Sequence, residues 1–356
     1  MSPFKSSAGR ALGKMLEGFK SSDVGKGFGG GGTSAIILQA TGGEIALGSA
    51  RDIDDTTYKY HYFKTPGTLV IPNAGHFDDQ LEVLVIAGGG AGGQRSGGGG
   101  GAGGIVLAQD VPFGSSVVGQ ISIPITVGSG GVINTAGEGA GRVGGDSRFG
   151  GSGDAWNVLA KGGGGGGGDN PQTGLGGGSG GGGHYQYPGG GANQPSQNPG
   201  KASWVTNYGH PGGTGHGAPQ HNSGGGGGAG GAAQAGSGPQ RGAAGDGVQL
   251  TNFNVSYYMP NSDPWWPGIS PLPGTYFGGG GGGGDYPPYL PQRMPQTATF
   301  GGGGIGGPAS SAGHGTPGVN GLGGGGGGAC GDSSGHNGGR GGDGMVVVRY
   351  KQVVLP

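Results

Sequence analysis

Three stretches of the chain carry residue types at spacings that could do chemistry. Ala87-Gly-Gly-Gly-Ala-Gly-Gly93 satisfies G-x-G-x-x-G directly after an apolar run, and Asp110 follows near the distance of a ribose-binding acid. That dinucleotide fingerprint works only if a helix comes next, because the helix N-terminus holds the pyrophosphate. Here Gln94-Arg-Ser-Gly-Gly-Gly-Gly-Gly101 follows, and each glycine costs a helix about 1 kcal/mol. No helix is expected there, and no nucleotide cofactor. Gly338-Gly-Arg-Gly-Gly-Asp-Gly-Met-Val346 matches a single calcium nonapeptide. A calcium ion wants six or more oxygens, drawn from tandem copies; one copy predicts only that Asp343 shapes a turn before a last strand. His210, His216 and His221 are close in sequence but lie in a Gly/Pro/Asn loop without cysteine. Nothing regular fixes them as ligands, so the expectation is no metal. No Ser/His/Asp set, carboxylate pair or phosphate loop stands out. The chain reads as a non-enzyme with no cofactor.

The elements that must position any site are dominated by glycine. Of 356 residues 107 are Gly and 24 Pro, with only 31% hydrophobic and 10% charged, too few apolar side chains for several ordinary cores. Net charge is −1, which argues against nucleic acid as a partner. The single cysteine, Cys330, excludes an internal disulfide framework, and no segment has the length of a secretion signal or a membrane span. Leu12, Met15, Leu16 and Phe19 fall on one face of a short N-terminal helix ahead of a glycine tether. That stripe suits docking on a larger assembly, packing on the chain's own body, or lying on a membrane surface. Residues 34–79 read as β-rich, with strands at Ala35–Gln39, Thr57–Phe63 and Thr68–Ile71. His61 reads as an exposed strand residue and Asp78-Asp79 as a solvated turn. The clearest strand, within Gln80–Ala87, leads into glycine territory, and Met345–Lys351 leads out of it. Shorter strands are expected at Gly104–Ala108, Gln120–Val127, Arg148–Phe149 and Trp156–Ala160. Pairing the incoming and outgoing strands makes 80–351 one glycine-rich unit, after 1–33 and 34–79 and before a tail, 352–356.

The glycine runs, such as Gly162–Gly168, Gly278–Gly284 and Gly323–Gly328, are pure rather than Gly/Ser linkers. Ordering them costs about 1–2 kcal/mol of backbone entropy per residue. A threefold polyproline-II-type helix leaves its own N–H and C=O groups pointing outward, so side-by-side runs can bond laterally. Any inward Cβ would block that approach. The fold class expected is mostly β and irregular: a small β-sandwich closed by first and last strands, a bundle of polyglycine-II helices, aromatic and Pro-rich loops, and little α-helix beyond the N-terminal one.

Leu81-Glu-Val-Leu-Val-Ile-Ala-Gly-Gly-Gly-Ala-Gly-Gly93, Gly99-Gly-Gly-Ala-Gly-Gly-Ile-Val106, Gly144-Gly-Asp-Ser-Arg-Phe-Gly150 and Gly341-Gly-Asp-Gly-Met-Val-Val-Val-Arg-Tyr350 resemble, over about residues 55–351, the glycine-rich domains of bacteriophage tail-fibre and adhesin proteins. The resemblance implies a polyglycine-II sandwich whose loops meet a host glycan or outer-membrane protein. It also implies a virion protein assembled in the host cytoplasm; residues 1–33 lie outside the resemblance, and their apolar stripe makes other virion proteins the expected partner of the N-terminal segment, with a homo-oligomer compatible. The aromatic connectors supply the contact candidates: Tyr185, Tyr187, Trp204, Tyr208, Tyr257, Tyr258, Trp265, Trp266, Tyr286 and Tyr289. The same aromatics could instead shield the bundle or fill a subunit interface. A capsid-decorating or tail component and a cellular surface protein are the alternative readings.

Overall fold

A computed structural model describes residues 36–38, 40–47, 58–78, 80–115, 117–134, 139–170, 172–219, 221–238, 240–253, 275–286, 299–308, 313–331, 335–351 and 353–355. The helix expected around Leu12–Phe19 lies outside them. The chain forms two compact units: residues 1–39 with 352–356, and Ala40–Lys351. In the first, β1 (Ile36–Leu38) pairs antiparallel with β14 (Val353–Leu355), so the expected tail contains a strand.

The second unit is built on two antiparallel sheets. The larger has the order β10 (Val205–Tyr208), β6 (Ile105–Ala108), β5 (Leu81–Ile86), β13 (Met345–Lys351), β3 (Tyr58–Phe63), β2 (Glu44–Leu47). The smaller runs β4 (Gly67–Ile71), β7 (Ile121–Thr126), β8 (Ser147–Phe149), β9 (Val158–Ala160). The incoming strand β5 and outgoing strand β13 are neighbours, Met345 opposite Ile86 and Tyr350 opposite Leu81. Strand residues alternate between faces. Leu84, Ile86, Met345 and Val347 join Tyr60, Tyr62, Phe253, Phe277 and Leu322 in one core. Val83, Val85, Val346 and Val348, also wholly buried, point to the other face, where β8 and β9 pack. A sheet covered on both faces needs apolar residues at successive positions, which is why β5 and β13 read as nearly continuous apolar runs. A two-stranded ribbon, β11 (Val248–Gln249) with β12 (Tyr276–Phe277), completes the strands of this unit.

The same double coverage corrects the expectation for His61, which is buried completely. Its Nδ1 lies 2.7 Å from the Gly42 carbonyl oxygen, and its Nε2 lies 3.3 Å from the Tyr350 hydroxyl. The Ala40 N–H donates to that hydroxyl. The hydroxyl proton is thus free to donate to Nε2, while Nδ1–H donates to Gly42. Alternation along β3 correctly separates two faces but cannot say that both are covered. Asp78, read as solvated, is half-buried and accepts the Gly114 N–H at 2.8 Å. Burial pushes the Tyr350 phenol up to about 12 and holds the His61 imidazole below its usual range, the nearby Lys59 charge adding to the latter. The unfolded chain therefore takes up a proton on His61 at a pH where the folded chain refuses it. Stability should be fully present above about pH 6.5 and fall on acidification, by at most about 1.4 kcal/mol per pH unit for this group. Thermal unfolding followed from neutral to mildly acidic pH should show a shallower decline for His61→Gln than for the native chain.

Between the strands the glycine runs form straight threads that bond their neighbours with a period of three. Along 97–104 the amides donate in turn to Ala329, Gly167, Gly224, Gly326, Gly164, Gly227, Gly323 and Lys161, returning to the same three threads. Its carbonyls accept from three others: Gly284 and Gly281, then Gly93, Gly90 and Ala87, then Gly182 and Ser179. This thread therefore has six neighbours, the lateral packing that a threefold polyglycine-II helix allows. Thread 87–94 behaves likewise, donating to Gly104, Gly145, Gly342, Gly101, Arg142, Gly339, Gly98 and Gly139. The expectation that every inward Cβ is forbidden is too strict. Ala91, Ala102, Ala229, Ala329 and Ser179 sit wholly buried in threads, because exclusion depends on whether a Cβ lands on a neighbour's carbonyl.

Candidate functional site

Threads leave the sheets together and end together. Residues 87–93 run out from β5, 97–104 return to β6, and 161–168 run out from β9, with Gly90 bonded to Gly101 and Gly101 to Gly164. Eight residues at about 3.1 Å each carry the chain roughly 25 Å from the sheets. At that far end the turns 94–96 and 184–187 converge with residues 169, 170, 172, 285 and 286.

The first turn places two side chains by an unusual backbone. Gly93 N–H donates to Gly98 O, and the residues between include Arg95 at φ 48° and Ser96 at φ 53°. Two consecutive left-handed residues give a tight reversal that ordinarily selects Asn-Gly, and each costs an L-residue about 1–2 kcal/mol. Neighbours over-determine the turn: Ser96 Oγ donates to Asp285 O at 3.0 Å, Ser223 Oγ to Ser96 O, and Gln94 Nε2 to Asn337 Oδ1 at 2.7 Å. Six non-glycine residues have left-handed backbones among the described residues, and four of them, Arg95, Ser96, Tyr185 and His221, gather here. Strain of that kind concentrates where a side chain must be aimed.

The turns enclose a cavity of about 360 Å³ whose walls include Arg95, Asp169, Gln172, His184, Tyr185 and Tyr286. Asp169 divides its carboxylate: Oδ2 lies 2.8 Å from Arg95 Nη1, and Oδ1 lies 3.4 Å from His184 Nε2. His184 is almost wholly buried. Burial lowers its basicity, opposed by Asp169, so its ring is neutral at physiological pH. The His184 Nδ1 atom is itself closed to water, and the Arg95 backbone stands against the same ring. Tyr185 lies against His221 with centroids 4.0 Å apart, and Tyr286 meets the same imidazole edge-on at 5.3 Å. Next to Tyr286 in sequence, Asp285 pairs with Arg241 at 3.3 Å, both side chains buried. A second cavity, about 390 Å³ at the turn between β3 and β4, is lined by Gly43 and residues 62–68, with Lys64 the one charged group in its wall.

Residues 65–351 match the sequence model of the glycine-rich domain family. The chain belongs to that family. No curated protein matches its sequence.

Of the contact candidates chosen by sequence, the glycine-rich domain brings Tyr185 and Tyr286 together in the cavity wall. Tyr187 is half-buried nearby, its carbonyl accepting the Gly215 N–H at 3.0 Å. Trp204 and Tyr208 sit at the sheet end instead. Tyr208 lies in β10 and packs on the main core, while Lys201 lies over the Trp204 ring. Tyr257, Tyr258, Trp265, Trp266 and Tyr289 are outside the described residues. The three loop histidines part company: His221 joins the aromatic stack, His216 bonds Gly217 O through Nδ1, and the His210 carbonyl accepts the Gly180 N–H. Among the described residues no group of three or more His, Cys, Asp or Glu is arranged to hold a metal. Asp343 does shape the turn before β13. Its carbonyl takes the Gly321 N–H at 2.8 Å, and its Oδ1 takes the Gly130 N–H at 2.7 Å and an Arg340 N–H. Sequence reasoning passed over Arg95, Asp169 and Gln172. The signal available for the first two was their position, each at the end of a glycine run.

Proposed function

We propose that this glycine-rich domain is a non-enzymatic virion structural protein, a phage tail-fibre or receptor-binding protein that attaches the particle to its host. Residues 1–33, with Leu12, Met15, Leu16 and Phe19, would join it to other virion proteins, and the thread ends would meet the cell surface. The observation that carries this reading is the collection of left-handed, side-chain-bearing turns around one cavity at the end of a rigid bundle. A scaffold made of backbone contributes stiffness and reach, and leaves recognition to the turns.

Purified protein should bind cells of the host strain and, added in excess, reduce infection by the corresponding phage. Arg95→Asn separates recognition from folding. Asparagine suits the left-handed turn and the lost ion pair is part-exposed, so thermal stability should stay within about 1 kcal/mol of the native chain, while cell binding drops. Absence of both cell binding and infection blocking would overturn the assignment.

Val132 and Val143, each 51% exposed, lie on bonded outer threads, with Arg142 N–H donating to Val132 O at 3.4 Å. These apolar side chains favour, as a second reading, a decorating or tail component that buries them against neighbouring subunits. Particles carrying Val132→Asp and Val143→Asp would then lose integrity, whereas an attachment protein would only lose its contact with the host.

A further inference from the structure

The cavity has a definite chemical character. The two charged side chains in its wall cancel, Arg95 against Asp169 at 2.8 Å, so an anionic ligand would have to displace an existing partner. Two tyrosine faces are held by one imidazole, at 4.0 and 5.3 Å. Flat aromatic faces with a polar rim suit ligands that are apolar on one side and hydroxylated on the other. Arg95 and Asp169, with side chains 26% and 30% exposed, add a donor and an acceptor that hydroxyls can reach. The volume, about 360 Å³, is at the small end of ligand sites, which span roughly 300–1,000 Å³.

We propose that this cavity binds an uncharged sugar of one or two rings, stacked on Tyr185 and Tyr286, with ring hydroxyls donating to the Asp169 carboxylate and accepting from Arg95. The inference deepens the attachment reading by naming what its cavity holds. Asp169 also fixes the Arg95 guanidinium.

The test titrates full-length protein with methyl glycosides of glucose, galactose, mannose and N-acetylglucosamine, alongside glucuronate and N-acetylneuraminate, followed by ligand-observed NMR. At least one neutral glycoside should bind with Kd near or below about 1 mM and weaken roughly tenfold or more in Tyr185→Gly, a change that also relieves the left-handed backbone at φ 54°. Tyr286→Ala provides an independent variant if Tyr185→Gly fails to fold. Binding by no neutral glycoside, binding by the acidic sugars alone, or binding untouched in both variants overturns the proposal. Cell adhesion that persists in both variants would also sink the sugar assignment while leaving attachment intact. Sugar binding without any cell adhesion would do the reverse.

Discussion

Gly100→Val should unfold the glycine-rich domain under conditions where Gly191→Ala remains as stable as the native chain. Gly100 lies in the thread with six neighbours. A Cβ built on it would stand 2.7 Å from the Gly90 carbonyl carbon and 2.8 Å from that of Ala91, and nearer still to the Gly90 oxygen. All three atoms are backbone, so no rotamer change can relieve the overlap. Moving the 87–93 thread aside would break the bonds Gly90 makes with Gly101 and Gly326 and disturb those of Ala91 with Arg142 and Gly166. Each such bond is worth about 1 kcal/mol net, and more if its partner stays buried and unpaired. The loss should therefore exceed about 4 kcal/mol, beyond what ordinary point changes cause. Gly191 is exposed, and a Cβ there meets nothing within 4 Å. Alanine at that place restricts the unfolded chain without a clash, for a change between zero and about 1 kcal/mol of added stability. Denaturant midpoints for the two variants decide the matter. Equal, small effects would remove the lateral-bonding account of the bundle.

Most strands are legible in the sequence because their side chains state their environment. Met345–Lys351 and Leu81–Ile86 are β-branched, apolar and bounded by glycine, and few other conformations suit them. β10 was hidden because Val205–Tyr208 pairs with Ile105–Ala108, about a hundred residues earlier, and only that pairing makes an aromatic connector a strand. The purity of the glycine runs announces lateral packing but carries no information about which run borders which. Thread 97–104 touches runs beginning near 87, 161, 178, 223, 278 and 323, and nothing in a glycine distinguishes one of these from another. Neighbour choice is written in the turns: Arg95-Ser96 reverses one run, and the strands at the opposite end fix where each run starts.

That limit explains the partial legibility of the site. Tyr185 and Tyr286 stand out as aromatics in a glycine background. Arg95 and Asp169 are 74 positions apart, and their ion pair exists because Gly166 donates to Ala91 O and so sets their two threads side by side. His184 joins them because Gly167 donates to Gly182 O. Each contact is a consequence of backbone register. No pattern of residue types at fixed spacing could express it, which is why catalytic and metal motifs pointed elsewhere.

Removing Arg349 should have the second-largest effect. Arg349 on β13 stands directly opposite Glu82 on β5, with Nη2 2.9 Å from both carboxylate oxygens and Nε 3.2 Å from Oε2. Nη1 donates to Asn252 O at 2.9 Å, and the guanidinium lies over the rings of Tyr58 at 4.4 Å and Phe253 at 5.0 Å. The side chain is 5% exposed and Glu82 17%, so loss of either partner leaves a charge with little water to replace the other. Arg349→Ala should cost about 3–5 kcal/mol and loosen the segment carrying Leu250 and Phe253, whose backbone it holds. Arg349→Lys should recover only part, since an ammonium cannot grip both oxygens or span two rings. Paired replacement, Arg349→Leu with Glu82→Leu, removes both charges and should be far milder than the sum of the single changes. A double-mutant cycle by urea unfolding measures this coupling. Strict additivity would mean that the pair is solvated and that the sheet face it crosses is open to water.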